Sequence, residues 1–158
     1  MRFEELATTR KGDIGERIVK SYLTKREMTI YSTDSGPHPI DFVAIDQAGK
    51  LFFVEVKTYP RRAKKSDTGI DLADWYKYAE IERIGVVWLF FIDEFEGCCY
   101  VCSLSDLKRN NTTQGEKIYF DLSLFKVLFW LDRGDLNEIR KASKVNMEQY
   151  KGTKRHFR

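Results

Sequence analysis

The run Leu51-Phe52-Phe53-Val54-Glu55-Val56-Lys57 constrains this chain more than any other, because it combines strand patterning with two charges in an apolar frame. Side chains at i and i+2 of a strand share a face. Leu51, Phe53, Glu55 and Lys57 therefore point one way, and Val54 and Val56 the other. A charge placed among apolar neighbours needs compensation, from a partner or from a cation. A second strand-like run, Ile40–Ile45, precedes it across Asp46-Gln47-Ala48-Gly49-Lys50. A three-residue loop, Gln47-Ala48-Gly49, suits a type I turn closed by a left-handed Gly49, whereas Ala-Gly fits a two-residue hairpin turn poorly. That register sets Asp46 opposite Lys50, Val43 opposite Phe53 and Asp41 opposite Glu55.

Two facing carboxylates repel unless a cation lies between them. Mg²⁺ takes oxygen ligands and keeps several waters. Held by Asp41, Glu55 and the Val56 backbone carbonyl, it would polarise a phosphate and activate a water. Lys57 stands one side chain away, where it could orient or deprotonate that water and counter the charge growing on phosphorus. The competing reading makes Glu55 and Lys57 a plain ion pair, but an exposed pair contributes little and needs no apolar frame.

The remaining elements alternate. Thr9–Lys25 carries a helical stripe of Ile14, Ile18 and Tyr22, widened by Val19 and Leu23. Glu16 lies at the edge of that stripe. Ser32–Pro39 reads as a loop, and Tyr59–Gly69 as a polar, basic connection. Asp71–Arg83 reads as a helix with Leu72, Trp75, Tyr76 and Ala79 on its packed side, and Lys77 toward solvent. Gly85–Ile92 is the continuous apolar run of a central strand. Strands at Cys98–Ser103, Ile118–Phe120 and Phe125–Trp130, a helical turn at Ser105–Arg109 and a helix from Asp135 to about Val145 complete an α/β order with helices on a central mixed sheet. The 158 residues suit one domain over 1–150 and a basic tail over 151–158. Cys98, Cys99 and Cys102 lack a second ligand pair at zinc-binding spacing and read as buried strand residues, Cys99 facing away from the other two. No apolar run approaches a membrane span and no signal core opens the chain, so a cytoplasmic protein that avoids membranes is expected.

Pro39-Ile40-Asp41, thirteen intervening residues and Glu55-Val56-Lys57, preceded by Gly15-Glu16 on a helix, resemble the PD-(D/E)XK nuclease superfamily. Gly15 through Lys57 is most similar to the archaeal Holliday-junction resolvases and a related group of small bacterial proteins. Ile40 between Pro39 and Asp41 departs from the plain motif, and the second core helix lacks the Gln of several nuclease subgroups. The resemblance implies a restriction-endonuclease-like αβββαβ core with a mixed central sheet flanked by helices. It further implies a metal-dependent nuclease using Mg²⁺ or Mn²⁺ on nucleic acid, with DNA expected and branched sites among the candidates. Glu16 then joins Asp41, Glu55 and Lys57 as a catalytic residue.

Net charge is only +3, so placement matters more than the total. Arg61, Arg62, Lys64 and Lys65 follow directly on Lys57, where they could reach flanking phosphates. Such contacts supply affinity and register but no sequence specificity. Two readings from other classes compete with the nuclease. One is a catalytically inactive module of the same fold that binds nucleic acid or protein. The other is a structural or assembly protein that makes an oligomer interface through Val86–Ile92 and Val127–Leu131, and a homodimer is a partner open to the nuclease as well. Metal-dependent cleavage separates them.

Overall fold

The computed structural model describes residues 7–32, 38–58, 67–109 and 111–143. In chain order the elements are α1 (Ala7–Lys25), β1 (Thr29–Ser32), β2 (Phe42–Ile45), β3 (Leu51–Lys57), β4 (Asp67–Asp71), α2 (Leu72–Glu82), β5 (Val86–Asp93) and β6 (Cys98–Ser103). These are followed by α3 (Leu104–Leu107), β7 (Thr112–Gln114), β8 (Lys117–Asp121), a 3-10 turn (Leu122–Leu124), β9 (Lys126–Trp130) and α4 (Arg133–Ala142). A six-stranded sheet runs in the order β1-β2-β3-β5-β6-β9, and a three-stranded sheet in the order β4-β8-β7. In the large sheet only β3 and β5 pair in parallel. The crossover between them carries α2, so α1-β1-β2-β3-α2-β5 traces the expected αβββαβ core.

The hairpin forms as its turn chemistry dictates. Gly49 has φ +80, its N–H donates to the Asp46 carbonyl at 3.0 Å, and the Asp46 N–H donates to the Lys50 carbonyl. Asp46 Oδ1 also accepts from the N–H groups of Ala48 and Lys50. The strands then pair Ile45 with Leu51 and Val43 with Phe53, the register read from the loop length.

The two faces of the sheet bury different partners. On one, Ile14, Ile18, Val19 and Leu23 of α1 and Ile139 of α4 pack on Phe42, Ala44, Val54, Val56, Phe90 and Ile92. On the other, Trp75 and Tyr78 of α2, Leu104 and Leu107 of α3, and Ile70, Ile118 and Phe120 of the small sheet pack on Leu89, Phe91 and Tyr100. Helix α1 comes very near the end of β3 at Gly15, where an added Cβ would lie 2.2 Å from Thr58 Cγ2 and 3.3 Å from Ile92 Cδ1. Glycine there sets the approach of α1, and therefore the position of the next residue, Glu16.

Three expectations need correction, and one strand was not anticipated. The polar connection ends earlier than Gly69, because Asp67–Asp71 forms β4 against β8; a short strand paired to one far along the chain leaves no local signal. Strand β1 (Thr29–Ser32) is not legible in its own residues, being four residues long and mostly exposed at the sheet edge. On α2 it is Tyr78, not Tyr76, that packs inward: Tyr76 is 61% exposed and Tyr78 1%. Strand β2 begins at Phe42 and leaves Ile40 and Asp41 just outside it. Cys98, Cys99 and Cys102 are buried free thiols, with Cys99 on the α1 side as expected. No helix among the described residues is long and apolar enough to cross a membrane.

Candidate active site

Parallel pairing of β3 with β5 brings Glu55 level with Leu89 and Lys57 level with Phe91, at the edge where β3 ends and the chain passes Asp41 on its way into β2. The ladder between β2 and β3 stops at Phe42 and Val54. One residue earlier the Asp41 N–H donates to the Val54 carbonyl at 3.0 Å. The Asp41 side chain then takes the place of the missing strand, with Oδ2 accepting from the Val56 N–H at 2.7 Å. That contact holds Asp41 beside Glu55 by one of its two oxygens.

Glu55 is held in the same manner, by one oxygen. Lys57 Nζ lies 2.6 Å from Glu55 Oε1, and the Tyr78 hydroxyl donates to that oxygen at 2.7 Å. The Glu55 and Lys57 side chains are only 9% and 10% exposed, so this is a desolvated pair and not the weak surface bridge of the plain reading. Lys57 Nζ is also 3.5 Å from Asp74 Oδ2 and sits 5.5 Å from the centre of the Tyr78 ring. Asp74 in turn contacts the exposed Lys77 at 3.3 Å.

The electrostatics follow from this crowding. Burial and then the Glu55 charge push the Asp41 carboxyl up to about 8, with Glu16 adding to the rise, while the Val56 N–H and Lys57 oppose it. Burial also raises Glu55, against the opposing pull of Lys57 and Tyr78. Burial and the Glu55 charge hold the Tyr78 phenol far above its ordinary value, so it remains a donor. Glu16 reaches the site from α1, across the sheet edge from α2. It is half-buried and 3.5 Å from Lys20, whose Nζ stands 5.2 Å from the centre of the Phe42 ring.

Asp41, Glu55 and Lys57 thus come together with Glu16 in electrostatic range. Two contributors escaped the sequence reading, Asp74 and Tyr78. The signal available was their i, i+4 spacing, which puts both on one face of α2. An assignment of that face from apolar residues alone passes over it. Away from the site, Lys11 is buried in an ion pair with Glu94 at 2.7 Å. Arg61, Arg62, Lys64 and Lys65, and the basic tail 151–158, lie outside the described residues. Among the described residues no three His, Cys, Asp or Glu side chains converge on a closed metal site. The donors offered are two carboxylates with one oxygen each tied to the protein. This fits Mg²⁺ or Mn²⁺, hard cations suited to carboxylate and water ligands, and Mg²⁺ is commonly held by one or two carboxylates while it retains water.

This architecture is a mixed α/β fold, a six-stranded mixed sheet flanked by helices, with Asp41 and Glu55-Val56-Lys57 brought together where β2 starts and β3 ends. The chain belongs to the family described as "Uncharacterised protein family UPF0102", whose model matches residues 15–122 and so spans every candidate site residue described above. No curated protein matches the sequence. Among solved structures it is similar to Hjc, a Holliday junction resolvase from the archaeal hyperthermophile Archaeoglobus fulgidus, with a TM-score of 0.57 and 14% sequence identity over 75% of this chain and 92% of that one. At that identity the likeness is one of fold.

Proposed function

We propose that this protein is a metal-dependent nuclease that hydrolyses phosphodiester bonds in DNA, with branched or otherwise structured DNA as its substrate class. The observation that carries the reading is the pairing of half-buried Asp41 with buried Glu55 beside buried Lys57, with the Asp41 carboxyl driven up to about 8 by burial and by its neighbour's charge. Such a site gains from a divalent cation, which would replace the proton on Asp41 and relieve the repulsion. Asp41, Glu55 and the Val56 carbonyl would hold Mg²⁺ or Mn²⁺. When bound, the ion supplies Lewis acidity toward a phosphate oxygen and an acidified water.

The chain's own residues do the rest. Lys57 projects its ammonium to the edge where a scissile phosphate would lie, and it offsets the charge that builds on the phosphoryl oxygens as water adds to phosphorus and the P–O bond to the sugar breaks. Glu16, at the opposite lip, accepts a hydrogen bond from the incoming water and fixes its line of attack. Arg61, Arg62, Lys64 and Lys65 contact flanking phosphates without reading bases. The likeness in fold to a Holliday junction resolvase supports a DNA substrate, and a homodimer is the proposed working unit. Residues 1–150 form the nuclease domain and 151–158 a basic tail, acting in the cytoplasm.

The test is a panel of labelled four-way junctions, flaps, duplexes, single strands and RNA incubated with Mg²⁺, Mn²⁺ or EDTA. Cleavage of DNA that EDTA abolishes supports the reading. Binding without cleavage in every metal condition would show an inactive module of the same fold.

A further inference from the structure

We infer that Tyr78 is a positioning residue for the metal site, and that α2 sets which oxygen of Glu55 faces the cation. The inference rests on the nuclease reading above and names a further part of that site. Tyr78 is buried in the core beneath β3, and its hydroxyl meets Glu55 Oε1 at 2.7 Å. Lys57 Nζ meets that same oxygen at 2.6 Å. Among the described residues both contacts fall on Oε1, so Oε2 is the oxygen offered to a cation.

The two donors are not equivalent. The Lys57 ammonium sits on a flexible four-carbon stem, is shared between Glu55 Oε1 and Asp74 Oδ2, and is the group proposed to act on the phosphate. The tyrosine is rigid: its ring is wedged in the core with Trp75 and Leu89, and its hydroxyl has no comparable freedom. Tyr78 therefore keeps Glu55 in one orientation while the Lys57 ammonium is drawn on by Asp74 and by phosphate. Asp74, one helical turn earlier, steadies Lys57 from the same face of α2. A partner that orients a metal-ligating side chain in this way typically changes metal affinity or activity by about 10–100-fold when removed.

The experiment compares wild type with Tyr78→Phe, which removes the hydroxyl and keeps the ring. Mn²⁺ affinity is measured by calorimetry on protein without nucleic acid, and cleavage is followed across a Mn²⁺ series. Tyr78→Met removes the same hydroxyl with different packing and is carried alongside. The inference expects both variants to bind Mn²⁺ about 10–100-fold more weakly, with cleavage falling at low Mn²⁺ and recovering toward wild type as Mn²⁺ is raised. A role limited to packing would instead lower the rate equally at all Mn²⁺ concentrations. Unchanged Mn²⁺ affinity in Tyr78→Phe, or a rate loss that excess Mn²⁺ does not recover, overturns the inference. Wild-type protein that binds no Mn²⁺ overturns the metal site itself, so the two failures are distinguishable.

Discussion

Replacing Asp41 with asparagine should stabilise the metal-free protein at alkaline pH. In the native state burial and the Glu55 charge hold the Asp41 carboxyl up to about 8, whereas in the unfolded chain it titrates near 3.9. Between those values the native state binds more protons than the unfolded state, so unfolding becomes easier as pH rises. The slope approaches about 1.4 kcal/mol per pH unit, and over about four units the limit is near 5–6 kcal/mol. Solvent at the sheet edge and sharing of the proton with Glu55 bring the expected cost to about 2–4 kcal/mol by pH 9. The asparagine side chain has no charge to desolvate, and its amide oxygen can still accept from the Val56 N–H. Urea unfolding in EDTA from pH 4 to 9 measures the effect. The two proteins should be matched near pH 4, and the variant should be more stable at pH 9, with Mn²⁺ restoring the wild type but not the variant. Equal stability at pH 9, or a variant weaker than wild type there, would refute the argument that Asp41 is a strained carboxylate.

Gly15→Ala should lower stability by about 1–2 kcal/mol despite alanine's better helix propensity, since its Cβ would overlap the Thr58 methyl group; chemical denaturation reads the loss, and an unchanged midpoint would show that α1 does not press on β3. Glu27 follows α1 with φ 63, so Glu27→Gly should relieve that strain and stabilise by a few tenths to about 1 kcal/mol in thermal unfolding. Destabilisation would mean that its contact with Gln47 outweighs the strain. Reversing Arg61, Arg62, Lys64 and Lys65 to glutamate should weaken DNA binding and flatten its dependence on salt, because fewer counterions are released. An unchanged slope would show these residues to be a solvated turn.

Much of the site was legible because it depends on local rules. Alternation along Leu51–Lys57 and the turn chemistry of Gln47-Ala48-Gly49 were enough to fix the β2–β3 register, which needs only residues close in sequence. The reach of Asp41 to the Val56 N–H could not be read in the same way, since it arises where the ladder stops and no periodicity describes that point. Strand β4 and the role of Tyr78 were hidden for a related reason. Each is defined by a distant partner, β8 in one case and Glu55 in the other. A tyrosine also counts as apolar body and polar tip at once. Helix periodicity alone left its packed face and its hydroxyl unassigned.

The central claim is that Lys57 acts on the reaction and not on holding metal or DNA. Its most direct test is the single-turnover cleavage rate of Lys57→Ala against wild type, measured with metal and DNA saturating and with both affinities determined separately. Loss of a positioned proton-transfer or charge-stabilising group should lower the rate by at least about 10²-fold while leaving Mn²⁺ and DNA affinities close to wild type. Cleavage by Lys57→Ala at the wild-type rate would contradict the account, whatever the fold.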